Sequence, residues 1–264
     1  MTNKPPINSP IRLLVMRFEP HASRLTKQLN AQSIFSLALP LMSINKSIEF
    51  IHAQSFFQKK YDYIIAVSGH AVRFSAQALS CQSLNWPKSQ YLAVGKSTQQ
   101  QLQVAVQESA QCVQSPLNGF NSEALLSLPC LQSVNSKKIL ILRGVGGREC
   151  LRDTLIKRGA VVDYYQPYQR VSLAIKPTKL VEICLQNNIN GVIISSAELL
   201  KEFIKLIEDL GVILFRNITI YAPSQRIIDL ALLSGFKKVD VLPCLSDEGL
   251  VTYFKQLKKR ECYD

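Results

Sequence analysis

The sequence predicts an α/β fold with parallel sheets covered by helices on both faces, laid out in two similar halves. Three observations carry that reading. Short apolar runs alternate with stretches of helical spacing along nearly the whole chain, which is the pattern of parallel strands joined by crossover helices. Residues 138–170 hold one complete unit of strand, glycine turn, helix and strand. The chain also echoes itself: 11–30 resembles 139–158, 61–79 resembles 191–207, 91–107 resembles 218–233, and 33–44 and 161–173 are both extended with a central proline.

Taken in order, residues 11–16 read as an apolar strand ending at Arg17, with a helix over 21–30. Residues 33–44 are extended and interrupted by Pro40, and 48–57 read as a helix. A second buried strand, 61–67, stops at Ser68-Gly69-His70 before a helix over 71–79. The third, 91–94, stops at Gly95-Lys96-Ser97-Thr98, where Thr98 is placed to cap a helix running to about 108. Residues 111–113 read as a fourth strand, and Asn121-Ser122-Glu123 opens a short helix ending at Pro129. Residues 139–142 suit a buried strand that Arg143 and Gly144 end. Val145, Gly146 and Gly147 make a tight turn; a helix opens at Arg148 and Glu149, carries Leu151, Leu155 and Ile156 at helical spacing and stops at Gly159. The extended run from Val161 carries Tyr164, Tyr165, Pro167 and Tyr168. Beyond it come a helix over 179–186, a strand at 191–194 ending in Ser195-Ser196 and a helix from 197 to about 210. A strand at 218–222 ends in Pro223-Ser224-Gln225-Arg226, a helix runs to 233, a last strand spans 239–242, and a helix from 246 to about 259 closes the chain.

Small, hydroxyl and basic residues gather at the carboxyl ends of these strands, where open α/β sheets bind ligands and where helix N-termini suit anions. The turn after Arg143 is no dinucleotide fingerprint, which needs a third glycine where Glu149 stands, and no Walker loop, which needs Gly-Lys-Ser/Thr. By itself it fits an anion site or plain packing of strand on helix. The formal charge of +12 favours anionic partners. The basic residues are scattered, with a dense run only at Lys255, Lys258, Lys259 and Arg260, and no nucleic-acid motif accompanies them. Seven cysteines, at 81, 112, 130, 150, 184, 244 and 262, offer neither a disulfide framework nor a CxxC metal site. The first ten residues, MTNKPPINSP, read as a flexible tail and not a signal peptide. No apolar run approaches the ~18 residues of a membrane helix. The expectation is a cytoplasmic protein without membrane or nucleic-acid contact, metal or organic cofactor.

With the motifs in place, the chain resembles the uroporphyrinogen-III synthase family over about residues 11–256. The marks are the first strand ending in Arg17, AVSGHAV at 66–72, AVGKST at 93–98, SEALLSLP at 122–129, ILRGVGGRECL at 141–151, RGAVVDYYQPYQR at 158–170, VIISSAELL at 192–200 and APSQRI at 222–227. Each is loose alone; their order and spacing are specific. Two turns depart from the family pattern: Phe18 follows Arg17 where proline is usual, and Ser-Gly-His-Ala stands at 68–71 where Ser-Pro-Asn-Ala is common. The resemblance implies two flavodoxin-like lobes with parallel sheets, joined by two extended linkers at 40–45 and 165–173. One lobe is then discontinuous, 1–39 with 174–264, and the other spans 46–164. The implied reaction closes hydroxymethylbilane to uroporphyrinogen III, losing water and inverting the last pyrrole ring, with no cofactor. A polyanion with eight carboxylates loses a hydroxyl, forms an azafulvene cation and passes through a spiro intermediate. The protein chiefly holds the bilane in the bent geometry and can supply a proton to the leaving hydroxyl.

By the same resemblance Tyr168 matches the tyrosine proposed as that acid. Arg17, Ser68, Thr98, Arg143, Arg148, Ser195, Ser196, Ser224 and Arg226 match substrate-facing positions. Plainer readings stand beside these: the serines and Thr98 as helix caps, Arg17 and Arg143 as surface ion pairs, and Tyr168 as a packed ring. The expected partners are the bilane and, transiently, hydroxymethylbilane synthase, with the chain itself a monomer. A non-enzymatic two-lobe binding protein for a small polyanion is the alternative. A hydrolase using Ser68 and His70 ranks last, since no G-x-S-x-G elbow exists.

Overall fold

A computed structural model describes residues 10–107, 113–117, 119, 121–208, 215 and 217–261. The expected N-terminal tail, the helix end near 108, the strand start at 111, the helix end near 210, and Cys112 and Cys262 lie outside the described residues. The chain divides into two compact units, Met1–Ser43 with Val171–Asp264, and Ile44–Arg170.

The first unit holds β1 (Arg12–Met16), α1 (His21–Ala31), β2 (Phe35–Ala38), α7 (Pro177–Gln186), β9 (Gly191–Ile194), α8 (Ala197–Glu208), β10 (Thr219–Ala222), α9 (Gln225–Leu233), β11 (Lys238–Val241) and α10 (Asp247–Glu261). Its sheet runs β11-β10-β9-β1-β2 with every described pairing parallel. The strands' period-2 alternation divides the core. Leu13, Val15 and Ile193 pack with Leu25 and Leu29 of α1 and Phe254 of α10. Leu14, Met16 and Ile194 pack with Leu180 of α7, Phe203 of α8 and Ile228 of α9. Both faces are covered, which is why the strands read as unbroken apolar runs.

The second sheet and the helices that follow its strands comprise β4 (Tyr63–Ala66), α3 (Gly69–Cys81), β5 (Gln90–Ala93), α4 (Lys96–Val106), β6 (Val113–Gln114), α5 (Ser122–Leu126), β7 (Lys138–Gly144), α6 (Cys150–Lys157) and β8 (Val161–Ser172), with β3 (Met42–Lys46) on the sheet edge and α2 (Ala53–Phe57) after it. The order is β3-β8-β7-β4-β5-β6. Ile64, Leu140 and Leu142 pack against Phe74 and Leu102 of α3 and α4; Ile65, Ile139 and Ile141 pack against Leu125, Leu151 and Leu155 of α5 and α6.

Four details differ from the sequence reading. The helix over 48–57 is a 3-10 turn, Ile48–His52, running into α2. Helix α4 starts at Lys96 with Gly95 at its N-cap, so Thr98 lies inside the first turn and caps nothing; the Gln99 N–H closes onto Gly95 O at 2.8 Å. The stretches 40–45 and 165–173, read as linkers, are largely strand: β3 and the second half of a twelve-residue β8. Arg17 is no surface residue. It is buried, with Nη1 donating to Asp247 Oδ1 at 2.9 Å and Nη2 to Leu245 O at 3.1 Å. Arg24 also binds Asp247. This clamp ties the end of β1 to the first turn of α10, where a carboxylate also suits the helix dipole.

Removing Arg17 takes away the buried partner of Asp247 and leaves that buried carboxylate only the largely exposed Arg24. Arg17→Ala should therefore destabilise the protein by about 3 kcal/mol, read as a lowered denaturation midpoint. A loss within ~0.5 kcal/mol, as expected of an exposed pair, would count against the clamp.

Candidate functional site

In the second sheet the chain moves from β4 outward through β5 and β6, then returns to β7 and continues outward to β8 on the other side. The reversal lies between β4 and β7, and such switch points leave a crevice at the strand carboxyl ends. A cavity of about 330 Å³ opens there, lined by Val67, Ser122, Arg143, Gly144, Gly146, Gly147, Arg148, Tyr164, Tyr168 and Arg170 among others.

Tyr168 reaches this cavity through a break in strand register. Leu142 pairs with Tyr165 and Gly144 with Tyr168, so β8 carries one more residue than β7 across that interval. Such a bulge reorients the side chains beyond it. In an unbroken strand Tyr165 and Tyr168 would face opposite sides; here both join the cluster under α3. The Tyr168 ring is stacked on Phe74, centroids 5.6 Å apart at 25°, with His70 at 5.9 Å. It is 2% exposed. Gly144 lies so close that a Cβ there would stand 2.6 Å from the ring. The phenol oxygen is 3.0 Å from Ser68 Oγ. Ser68 is also the N-cap of α3, accepting from the Ala71 N–H at 3.1 Å.

Arg143 builds the turn beside it. Gly146 and Gly147 have φ of +76° and +104°, a region nearly closed to other residues. Their turn aims carbonyls inward, and the buried Arg143 guanidinium meets them. It donates to Gly146 O, to Arg148 O at 3.3 Å and to Glu149 Oε1 at 3.0 Å, and lies over the Tyr164 ring at 4.5 Å. The Tyr164 hydroxyl donates to the second Glu149 oxygen at 2.7 Å. Burial, then the hydrogen bond to Glu149, pushes the Tyr164 phenol up to about 12; the Tyr164 hydrogen bond, then the Arg143 charge, holds the Glu149 carboxyl below its usual range. Arg143 is thus a buried strut in the cavity wall, and not the surface ion pair of the plainer reading. Arg148 is open, its side chain 64% exposed, and its 3.7 Å pair with Glu123 contributes little. Arg148 and the exposed Arg170 put positive charge at the cavity.

The expected site residues therefore sort by sheet. Ser68, Arg143, Arg148 and Tyr168 meet at the β4/β7 switch, and Thr98 lies in the first turn of α4. Ser195, Ser196, Ser224 and Arg226 follow β9 and β10 of the other sheet, as Arg17 follows β1. Ser196 caps α8 through the Leu199 N–H at 3.3 Å. Ser224 occupies the N-cap position of α9 without a side-chain cap bond, and Arg226 is exposed in its first turn. Missed from sequence were Ser122, Arg170 and the Tyr164–Glu149 pair; the charge of Arg170 at the end of the tyrosine run was the one available signal.

The sequence profile of the family described as uroporphyrinogen-III synthase HemD matches residues 23–251. The uroporphyrinogen-III synthase of Escherichia coli (strain K12) is 31% identical over 198 residues, covering 74% of this chain and 79% of that protein. That of Proteus mirabilis is 34% identical over 162 residues, covering 60% and 80%. In fold, the chain is similar to a mutant uroporphyrinogen III synthase from the extremely thermophilic bacterium Thermus thermophilus, with a TM-score of 0.64 at 18% identity over 94% of this chain and 99% of that one. It is also similar to the uroporphyrinogen-III synthetase of Helicobacter pylori 26695, with a TM-score of 0.59 at 14% identity and the same coverage.

The contact between Gly144 and Tyr168 is testable by itself. Gly144→Ala should displace the ring and cost about 2 kcal/mol, the usual order for overpacking a core. Gly146→Ala meets nothing within 4 Å and should cost only the positive-φ penalty of about 1 kcal/mol. Near-ultraviolet dichroism should change for the first variant and not the second; identical spectra and stabilities would show that the ring has room.

Proposed function

The chain belongs to the uroporphyrinogen-III synthase family, and we propose that the cavity at the β4/β7 switch carries its chemistry, with Tyr168 as the proton donor. The protein is a cyclising hydro-lyase of haem biosynthesis: it converts hydroxymethylbilane to uroporphyrinogen III with inversion of the last ring and loss of water. The family match leaves the non-enzymatic binding protein without support. Among the described residues no helix is long and apolar enough to cross a membrane.

The observation that carries the site reading is a phenol and exposed arginine side chains around one cavity. Arg148 and Arg170 neutralise bilane carboxylates, Arg143 keeps the glycine turn in shape, and the first turn of α6 adds backbone donors. Tyr168 gives its proton to the hydroxyl as the carbon–oxygen bond breaks; the electron pair leaves with oxygen as water, and the pyrrole nitrogen stabilises the cation left behind. Once the ring has closed, the pyrrole carbon sheds its proton and the phenolate recovers one. Thr98, Ser195, Ser196, Ser224 and Arg226 remain candidate carboxylate contacts at strand carboxyl ends, and Arg17, at the end of β1, is held in the α10 clamp. A monomer in the cytoplasm, receiving bilane in transient contact with hydroxymethylbilane synthase, completes the reading.

The decisive experiment is the isomer ratio formed from hydroxymethylbilane with this protein present: uroporphyrinogen III is expected, and only the uninverted isomer, which the free bilane gives, would overturn the assignment. Tyr168→Phe should slow turnover about 100-fold, the low end for general acid help, with isomer III still the enzymatic product. Tyr165→Phe should retain turnover, because that hydroxyl donates to Phe50 O inside the core. Near-full turnover in Tyr168→Phe would remove the acid role.

Arg148→Ala should raise KM for the bilane several-fold at low ionic strength and much less at high salt, where exposed charges are screened. An unchanged KM at low salt would remove Arg148 from the binding set.

A further inference from the structure

We propose that Ser68 is a positioning residue for Tyr168: its hydroxyl donates to the phenol oxygen, so that the phenol's own proton is turned toward the cavity. The inference rests on the reading of Tyr168 as the acid and adds a residue whose own side chain need not touch the bilane. A serine hydroxyl has one proton and two lone pairs. One lone pair already accepts the Ala71 N–H at 3.1 Å, in the first turn of α3. The Tyr168 oxygen lies 3.0 Å away. Two arrangements fit these distances. If Tyr168 donated to Ser68, the phenol proton would be held inside the protein and the Tyr168 oxygen would offer the bilane only lone pairs. If Ser68 donates, a single chain runs one way, from Ala71 N–H to Ser68 O–H to Tyr168 O–H to the leaving hydroxyl.

Physics favours the second order. Each donor in a hydrogen-bond chain is strengthened by the bond it accepts, so the Ala71 N–H makes Ser68 a better donor. The chain starts at the positive end of a thirteen-residue helix, and that end favours negative charge nearby. As the phenol gives up its proton, the charge left on its oxygen is met by the Ser68 hydroxyl and, behind it, by the helix terminus. The ring cannot swing away from this bond, because Phe74 stacks on it and Gly144 lies against it.

The test separates capping from donation. Asn and Asp cap helices about as well as Ser, so Ser68→Asn and Ser68→Asp both keep α3 closed. An Asn amide can still donate to the phenol, whereas an ionised Asp only accepts. Ser68→Asp should lower kcat about tenfold or more at any salt, whereas any rise in KM from the added charge should fade at high salt. Ser68→Asn should recover most of that loss. In a Tyr168→Phe background Ser68→Asp should change kcat no further, because coupled residues are not additive. Equal kcat for Asn and Asp, with both folded by thermal melting, overturns the inference and leaves the acid role standing. Full turnover of Tyr168→Phe overturns the acid role itself. Should Ser68→Asp fail to fold, Ser68→Gly and Ser68→Thr answer the same question: glycine costs the cap little but lacks the hydroxyl, so kcat must fall for Gly and be held by Thr.

Discussion

Tyr168 stands where it does because the register break in β8 and the missing side chain at Gly144 coincide. Either alone would fail. Without the bulge, Tyr168 would alternate to the α5/α6 face, away from Ser68 and Phe74. Without glycine at 144, the ring would collide with the neighbouring strand at 2.6 Å. Together they bury a large aromatic ring to 2% exposure in the wall of a cavity while its hydroxyl keeps a hydrogen-bond partner, as a buried phenol requires. The Ser68 bond and the Phe74 stack follow from that placement.

The other fixed point is Arg143. A turn through two glycines at positive φ costs backbone entropy and directs carbonyls toward the protein. A planar guanidinium with five donors is well suited to collect them. Its charge is balanced by Glu149, which Tyr164 holds from the other side. The arrangement separates the arginines by role. One is buried and structural, and others line the cavity with exposed side chains. Arg17 repeats the structural half of this pattern in the other unit, clamping α10 through Asp247. In both units, therefore, the arginine that ends a strand holds the backbone that follows the sheet in chain or in space. The formal charge of +12 does not distinguish these roles; burial does.

The architecture was legible in the sequence because parallel strands covered on both faces must be apolar at every position. Runs such as Leu13 to Met16, Ile64 to Ala66 and Ile139 to Leu142 have little freedom to be anything else. Glycines and hydroxyls after those runs marked the strand ends, and the order of short motifs identified the family. Ser68 and Ser196 as caps were also legible, since a cap and its helix N–H lie three residues apart. Thr98 lies inside the first turn because Gly95 already takes the cap position with no side chain, and a glycine cap carries no hydroxyl to mark it in the sequence.

What the sequence by itself determined is the alternation of elements, the faces they bury, the family and the tyrosine-bearing strand. The tertiary structure decided which tyrosines line the cavity, that Arg17 and Arg143 are buried struts, and that Ser68 meets a phenol 100 residues away. The division has one physical cause. Periodicity and capping are set by neighbours within a turn or a strand, so they are written locally. A bulge exists only relative to the partner strand, and a buried guanidinium only relative to acceptors such as Asp247, 230 residues from Arg17. Those relations arise when the sheet closes, and no local stretch of sequence contains them.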